Sequence, residues 1–312
     1  MSKCTVMSST SFSVPRDGEI FISSVYERCE DFISNGIWTG IDILDFQSWW
    51  ANFSIPEDRY FAACILDSLI YRSKKQTISL IQHLFQRTIP DLVRLNPMPI
   101  TAPDNWIDLL GSSCESGVRL VAAVKHDDPP TKSSHLIMRI MKQEFSINED
   151  FMITPDQIED FVLYGINVFI FIDDFLGTGD QFTEILIDEA VEPYLHTHYV
   201  AYVPLVAHET GVTHLNNVYP DLKLSSVELL DESNGLFHSS SCCFNDEAND
   251  NIIAKAYYYE LLKRKDIKIQ DQHRRGFGKL ELAYSFEHAT PDNCLPILWW
   301  KHSQKFKPLF RR

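Results

Sequence analysis

Residues 168–181, VFIFIDDFLGTGDQ, constrain this 312-residue chain more than any other stretch. Five apolar residues, 168–172, form the kind of short run that fills a strand buried on both faces of a parallel sheet. Asp173 and Asp174 follow where such a strand would end. Phe175, Leu176, Gly177, Thr178 and Gly179 then make a loop of mostly small residues, and residues 180–192 read as a helix. In that order the elements describe a site for a phosphorylated sugar. Loop N–H groups and a helix N-terminus face a phosphate, while two carboxylates accept bonds from sugar hydroxyls. A plain strand–loop–helix with an Asp as N-cap accounts for one of the acids. It leaves the pair and the Thr-Gly behind an apolar strand unexplained.

Elsewhere the apolar residues recur at helical spacing. Ile22, Val25, Cys29, Phe32 and Ile33 share one face, closed by Asn35-Gly36; Phe46, Trp49, Trp50 and Phe53 share a second. Phe61, Cys64, Ile65, Leu69 and Ile70 mark a third helix, and Ile78, Ile81, Leu84 and Phe85 a fourth. Ser54 to Glu57 has capping-box spacing with Pro56 in the first turn. Trp49 and Trp50 lie on the apolar stripe, which reads as core packing rather than a platform for bases. The first fifteen or so residues, rich in Ser, read as loosely held.

The Pro-rich run LNPMPITAP, 95–103, breaks the helical period. Beyond it come strands at 118–124, 168–172 and 199–206, helices at 180–192 and 250–263, and an ambiguous segment at 135–142. Leu280, Leu282, Tyr284 and Phe286 alternate as a last strand. The expected organisation is a helical N-terminal domain over 1–95, followed over 96–312 by an α/β domain with a mainly parallel sheet.

A net charge of −15 argues against unaided nucleic-acid binding, which needs a basic face. Lys263, Arg264, Lys265, Lys268, His273, Arg274, Arg275 and Lys279 nevertheless form a basic zone, followed by Lys305, Lys307, Arg311 and Arg312. This is either a solvated surface or a site for phosphate or an acidic partner. Seven cysteines without a CxxC pair fit free thiols in a reducing cytoplasm rather than a disulfide framework or zinc site. The first residues lack the apolar core of a signal peptide, and no segment approaches the ~20 apolar residues of a membrane span. A cytoplasmic location without a membrane partner is expected.

Ligands of open α/β sheets bind beyond the carboxyl ends of the strands, so the residues just past each strand are informative. Lys125, after 118–124, is a candidate to meet a pyrophosphate. Glu209 follows 199–206 and is a candidate for metal-bound water or a base, although an acid in a helix's first turn needs no catalytic role. Past the last strand, FEHATPDNCLPILWW gathers His288, Thr290, Asp292 and Asn293. His288 is a candidate acid–base group, while Asx-type turns account for Asp292 and Asn293.

The 168–181 segment resembles the ribose-phosphate signature of type I phosphoribosyltransferases: a hydrophobic strand, two acids, three variable residues, Thr-Gly and a further Gly-Thr. Asp173, Asp174 and Thr178-Gly179 match, whereas Asp180 and Gln181 stand where the signature has Gly and Thr. Gln181 still offers a donor. An inward Asp180 would repel a 5′-phosphate, so Asp180 is expected to turn outward as a helix cap, with Thr178 and Gln181 inward.

Three pieces in order, RYFAACILDSLIYRS, IDDFLGTGDQF and FEHATPDNCLPILWW followed by FKPLFRR, make the chain similar to the PRTase-CE group of phosphoribosyltransferase-like effectors of bacterial conflict systems. The resemblance implies a phosphoribosyltransferase-type fold, an antiphage role and partner proteins such as a reverse transcriptase. It also implies binding of phosphoribosyl pyrophosphate or a related nucleotide with Mg²⁺, and transfer of a ribosyl or phosphoribosyl group. In that reading Asp173 and Asp174 hold the ribose hydroxyls from a water-filled crevice and are the candidate Mg²⁺ ligands. Backbone from Phe175 to Gln181 cradles the 5′-phosphate, and Lys125 with Mg²⁺ steadies the departing pyrophosphate. The alternative is a fold kept as a nucleotide-sensing or complex-forming module without turnover, a reading that Asp180 supports.

Overall fold

Strands that are apolar on both sides need a cover on both sides, which is the situation of a parallel sheet between helices. Residues 168–176 and 199–208 meet that description, with all ten residues of the second strand buried. The computed structural model describes residues 11–112 and 116–310. Among them are eight strands: β1 (Ile70–Arg72), β2 (Val118–Ala122), β3 (Met152–Ile153), β4 (Val168–Leu176), β5 (Tyr199–His208), β6 (Lys223–Leu224), β7 (Glu228–Leu230) and β8 (Tyr284–Phe286). Six of them form one sheet in the order β3-β2-β4-β5-β6, with β7 continuing along β5 past β6. Every pairing in it is parallel. The chain is α/β with a mainly parallel sheet, as its patterning predicts.

The strand order positions a site. From β2 the chain crosses outward to β3, whereas after β4 it moves the opposite way to β5. Connections that diverge in this manner leave a crevice between the carboxyl ends of the two central strands, here β2 and β4. Helix Ser133–Phe145 follows β2, and helix Asp180–Asp188 follows β4.

The chain divides into two compact units. One is Lys74–Asp231 and carries the six-stranded sheet; the other joins the described residues up to Ser73 to those from Glu232 onward. The division therefore falls elsewhere than the Pro-rich run at 95–103. Helices Lys74–His83 and Ile89–Leu95 go with the sheet, and the C-terminal segment goes with the N-terminal helices.

An aromatic cluster supplies the reason. Phe61, fully buried, stacks on Phe244 at 4.7 Å, Tyr258 at 5.9 Å and Phe237 at 6.2 Å, while Phe12 stacks on Tyr257 at 4.5 Å. Large rings bury most area against one another, and these partners come from opposite ends of the chain. β1 and β8 repeat the connection as a separate two-stranded parallel sheet. Phe12 is thus packed rather than loosely held; the Ser-rich residues 1–10 lie outside the described residues, as do Cys4, Cys114, Arg311 and Arg312.

Several local expectations change for identifiable reasons. Ile70, read as helical, opens β1, because helix Pro56–Asp67 ends early and a partner strand waits in β8. The box at 54–57 is not made: Ile55 is the N-cap without a side-chain bond, and Pro56 alone sets the helix start. Alternation over 280–286 yields a strand only at β8, since Lys279 and Glu281 adopt φ near +59° and interrupt the extended chain. The ambiguous 135–142 falls within helix Ser133–Phe145. Trp49 is core, fully buried with its Nε1 donating to the Ile297 carbonyl at 2.9 Å, and Trp50 packs half-buried against the same core. No helix among the described residues is long and apolar enough to cross a membrane.

Truncating the centre of the aromatic cluster should expose how much it holds. Phe61→Ala is expected to cost roughly 3–5 kcal/mol, the usual range for a buried Phe. Denaturant unfolding of the full chain measures it, and a loss below about 1 kcal/mol would remove the cluster from its central role.

Candidate functional site

β4 does not stop at Ile172. On its β2 side the ladder ends with Ala122 opposite Ile172, but on its β5 side pairing continues from Asp173 with Pro204 to Leu176 with Ala207. The two acids therefore lie in extended strand that overhangs β2 at the switch point. Successive side chains of a strand alternate in direction, which sets Asp173 in register with Phe169 and Phe171 and sends Asp174 the other way.

Neither acid stands in a water-filled crevice. Asp173 is 4% exposed and Asp174 6%. Ser134 Oγ donates to Asp173 Oδ1 at 2.6 Å, the Asp174 backbone N–H donates to the same oxygen at 2.9 Å, and the Tyr202 hydroxyl donates to Oδ2 at 3.0 Å. Ser133 Oγ donates to Asp174 Oδ1 at 2.8 Å. Both serines belong to the first turn of helix Ser133–Phe145, so that helix start is pinned to the acid pair. Burial, reinforced by the charge of Asp174, holds Asp173 well above the usual carboxylate range despite its three donors. Burial and the neighbouring Asp173 likewise push the Tyr202 hydroxyl up.

The loop after β4 is shaped by glycines on both sides of a close approach. Gly179 has φ +92° and serves as N-cap of helix Asp180–Asp188. A Cβ on Gly211 would stand 2.4 Å from the Gly177 carbonyl oxygen, and one on Gly179 would stand 2.9 Å from the His214 ring. His214 Nε2 in turn lies 3.3 Å from the Thr183 hydroxyl. The first turns of helix Glu209–Val218 are therefore the floor on which the loop rests.

Asp180 is exposed and does not cap the helix; its carboxylate accepts the Thr178 hydroxyl at 2.9 Å, and Gln181 is exposed. Thr178 thus turns toward Asp180.

The other sequence candidates divide. Lys125 Nζ lies 3.3 Å from Glu184 and 3.2 Å from Asp188, and these carboxylates raise its pKa. It ties the loop after β2 to helix Asp180–Asp188 instead of projecting as an isolated cation. His126 does the same through Glu189 at 2.8 Å. Glu209 opens helix Glu209–Val218 and is exposed, where its charge suits the positive helix end. His288 belongs to the other compact unit and stacks on Phe286 at 4.9 Å. Around it the Ser285 and Thr290 hydroxyls meet at 2.7 Å, and Asn293 donates to the Phe277 carbonyl at 3.1 Å.

The basic zone is largely paired with acids. Lys263 meets Glu260, Arg264 and Lys265 meet Asp58, Lys268 meets Asp266, Arg274 meets Asp271, and Arg275 meets Glu281.

The sequence does not single out Ser133, Ser134, Tyr202, Gly211 or His214 as site residues. A Ser-Ser at a helix start is ordinary in sequence. Its pairing with two acids some forty residues away leaves no local mark.

Two variants probe this geometry. Gly211→Ala forces a methyl against the Gly177 carbonyl, so it is expected to cost about 1–3 kcal/mol by thermal melting; wild-type stability would mean the loop yields freely. Asp173→Asn keeps an oxygen for Ser134 and the Asp174 N–H and offers Tyr202 a donor, since a hydroxyl can accept as well as give. A folded-state pKa raised above the unfolded one means that wild-type stability falls as pH rises from the unfolded value near ~4 through the folded one. The Asn variant lacks this loss. Its melting temperature relative to wild type should therefore climb with pH across that window; a pH-independent difference would contradict the burial argument.

A search of curated proteins finds no match to the chain. The PRTase-CE family model matches residues 46–312, which is 267 of the 312 residues and spans the acid pair, its loop and the C-terminal segment. The chain belongs to the PRTase-CE family, whose members are phosphoribosyltransferase-like effectors.

Proposed function

We propose that this chain binds phosphoribosyl pyrophosphate or a related nucleotide at the carboxyl ends of β2 and β4, and transfers its ribosyl or phosphoribosyl group in bacterial antiphage defence. The observation that carries the reading is the acid pair at the switch point, followed directly by the Gly177-Thr178-Gly179 loop and a helix start. Transfer breaks the bond from C1′ to pyrophosphate while an acceptor forms a new one, and C1′ becomes cationic on the way. Carboxylates that hold the ribose hydroxyls orient the sugar and favour that charge. Loop N–H groups and the start of helix Asp180–Asp188 suit the 5′-phosphate.

Magnesium prefers oxygen ligands, keeps several waters and is usually held by one or two carboxylates together with phosphates. Among the described residues no group of three His, Cys, Asp or Glu side chains gathers to hold an ion, and Asp173 already accepts three donors. The donor set fits a metal that arrives on the ligand's pyrophosphate better than one caged by the protein. When bound, it would offset the charge of the departing pyrophosphate. Five free cysteines among the described residues support a reducing, cytoplasmic setting. Partner proteins such as a reverse transcriptase enter the proposal through the family alone.

A second reading, a binding module without turnover, is favoured by one observation: the Thr178 hydroxyl is given to Asp180 rather than held for a ligand. Calorimetric titration with phosphoribosyl pyrophosphate and Mg²⁺, with analysis of the products, separates the two. Binding with release of pyrophosphate is expected; binding without consumption supports the module, and absence of binding overturns both. Asp180→Gly removes a repelling charge and releases the Thr178 donor, so affinity should rise by up to about tenfold, or ~1.4 kcal/mol. Thr178→Val should not gain. An Asp180→Gly variant that binds more weakly would contradict the placement of the phosphate at this loop.

A further inference from the structure

We infer that residues 125–132, the connection from β2 to helix Ser133–Phe145, are a strap whose clasp on Glu189 sets how tightly the switch-point crevice holds its ligand, and that His126 makes this hold weaken as pH rises. Glu189, His126 and Asp128 are then positioning residues that touch no ligand. The inference rests on the phosphosugar reading of the site.

The strap is anchored on both sides of the crevice and braced between. It leaves β2 just past Ala122, which pairs with Ile172 of β4. Its first residues are fixed on the helix that follows the Gly177-Thr178-Gly179 loop, Lys125 to Glu184 and Asp188, and His126 to Glu189. Beyond its last residue, Ser133 and Ser134 donate to Asp174 and Asp173. In the middle, Asp128 accepts the Lys125 backbone N–H at 2.9 Å and lies 3.5 Å from Lys132 Nζ, so one carboxylate joins the two ends. Pro129 and Pro130 stiffen the rest. The strap therefore ties the acid pair to the helix behind the phosphate loop, the two places that a ribose and its 5′-phosphate would occupy.

Within the clasp Glu189 stands apart. Its side chain is 3% exposed, against 61% for Glu184 and 50% for Asp188. One oxygen of Glu189 accepts the His126 backbone N–H at 2.8 Å and lies 2.8 Å from His126 Nδ1. Exposed ion pairs are weak, whereas a covered carboxylate is costly to leave without its donors. The groups facing His126 are all acids: Glu189 at the helix C-cap, Asp127 beside it in the strap, and Asp156 in the turn after β3. The hydrogen bond to Glu189, then the charges of these three, favour the imidazolium and raise its pKa against the desolvation that lowers it. Below the raised value the clasp carries a full positive charge. As pH rises through it that charge is lost while the backbone N–H bond stays, and the hold loosens.

The test titrates the full chain with phosphoribosyl pyrophosphate and Mg²⁺ from about pH 6 to about pH 8.5, a span that brackets an upward-shifted histidine. Wild type is compared with His126→Gln, which cannot titrate, and with Glu189→Gln, which keeps an acceptor for the His126 N–H. The ligand phosphates and Asp173 titrate alike in all three chains, so the ratio of affinities isolates the clasp. At the acid end wild type should bind about threefold tighter than either variant, and the advantage should fade as pH rises. A ratio that stays flat with pH overturns the inference.

A second readout needs no ligand. Hydrogen exchange at the amides of 127–132 should be faster in His126→Gln than in wild type at the acid end and should converge with it at the alkaline end; equal rates throughout overturn the clasp. Wild type that binds no phosphoribosyl pyrophosphate at any pH ends the phosphosugar reading and the inference with it. Good binding with a flat ratio ends the clasp alone, so the two failures are told apart.

Discussion

A single carboxylate, that of Asp173, is the meeting point for the parts of the sheet unit that make the site. It sits in the overhang of β4, takes a hydroxyl from the neighbouring strand through Tyr202, and takes another from the helix after β2 through Ser134. Burying such a group without partners is expensive, and satisfying it with several donors turns the expense into rigidity. Its bonds come from two hydroxyls and an amide, all of them neutral donors. Burial therefore prevails over them, and Asp173 holds its proton to higher pH than an ordinary carboxyl.

Around that point the two loops of the switch region are fastened from outside. Lys125 and His126, after β2, grip Glu184, Asp188 and Glu189, from the middle to the C-cap of the helix that follows β4. Gly211 lets the loop after β4 sit on the next helix. A site built in this way is preorganised, which is what ribosyl transfer requires of groups that must hold a sugar while its C1′ bond breaks. The same fastening occupies Lys125, whose place after a strand suggests a pyrophosphate role, with the carboxylates of that helix. Charge on a neighbouring helix decides where a lysine goes, and that is a tertiary fact.

How much is legible in the sequence depends on how local each signal is. The apolar run of β4, the helix after it and the parallel sheet can be read because period and turn chemistry act over a few residues. The overhang cannot, because Asp is a poor strand former. Only the β5 ladder, with Pro204 opposite Asp173, keeps residues 173–176 extended. The discontinuous unit is equally hidden: Phe12 and Phe61 look like any apolar residues until Phe237, Phe244, Tyr257 and Tyr258 arrive from the other end of the chain. Asp180 shows the limit in miniature. Sequence separates it from the family signature, but its pairing with Thr178 depends on the left-handed Gly179 between them.

A crystal structure of the chain with a non-reacting analogue of phosphoribosyl pyrophosphate and Mg²⁺ tests the placement of the ligand at the acid pair most directly. Ribose hydroxyls are expected at the Asp173-Asp174 pair, and the 5′-phosphate against the N–H groups of residues 177–181. An analogue bound away from the ends of β2 and β4, or one whose ribose touches neither acid, would contradict it.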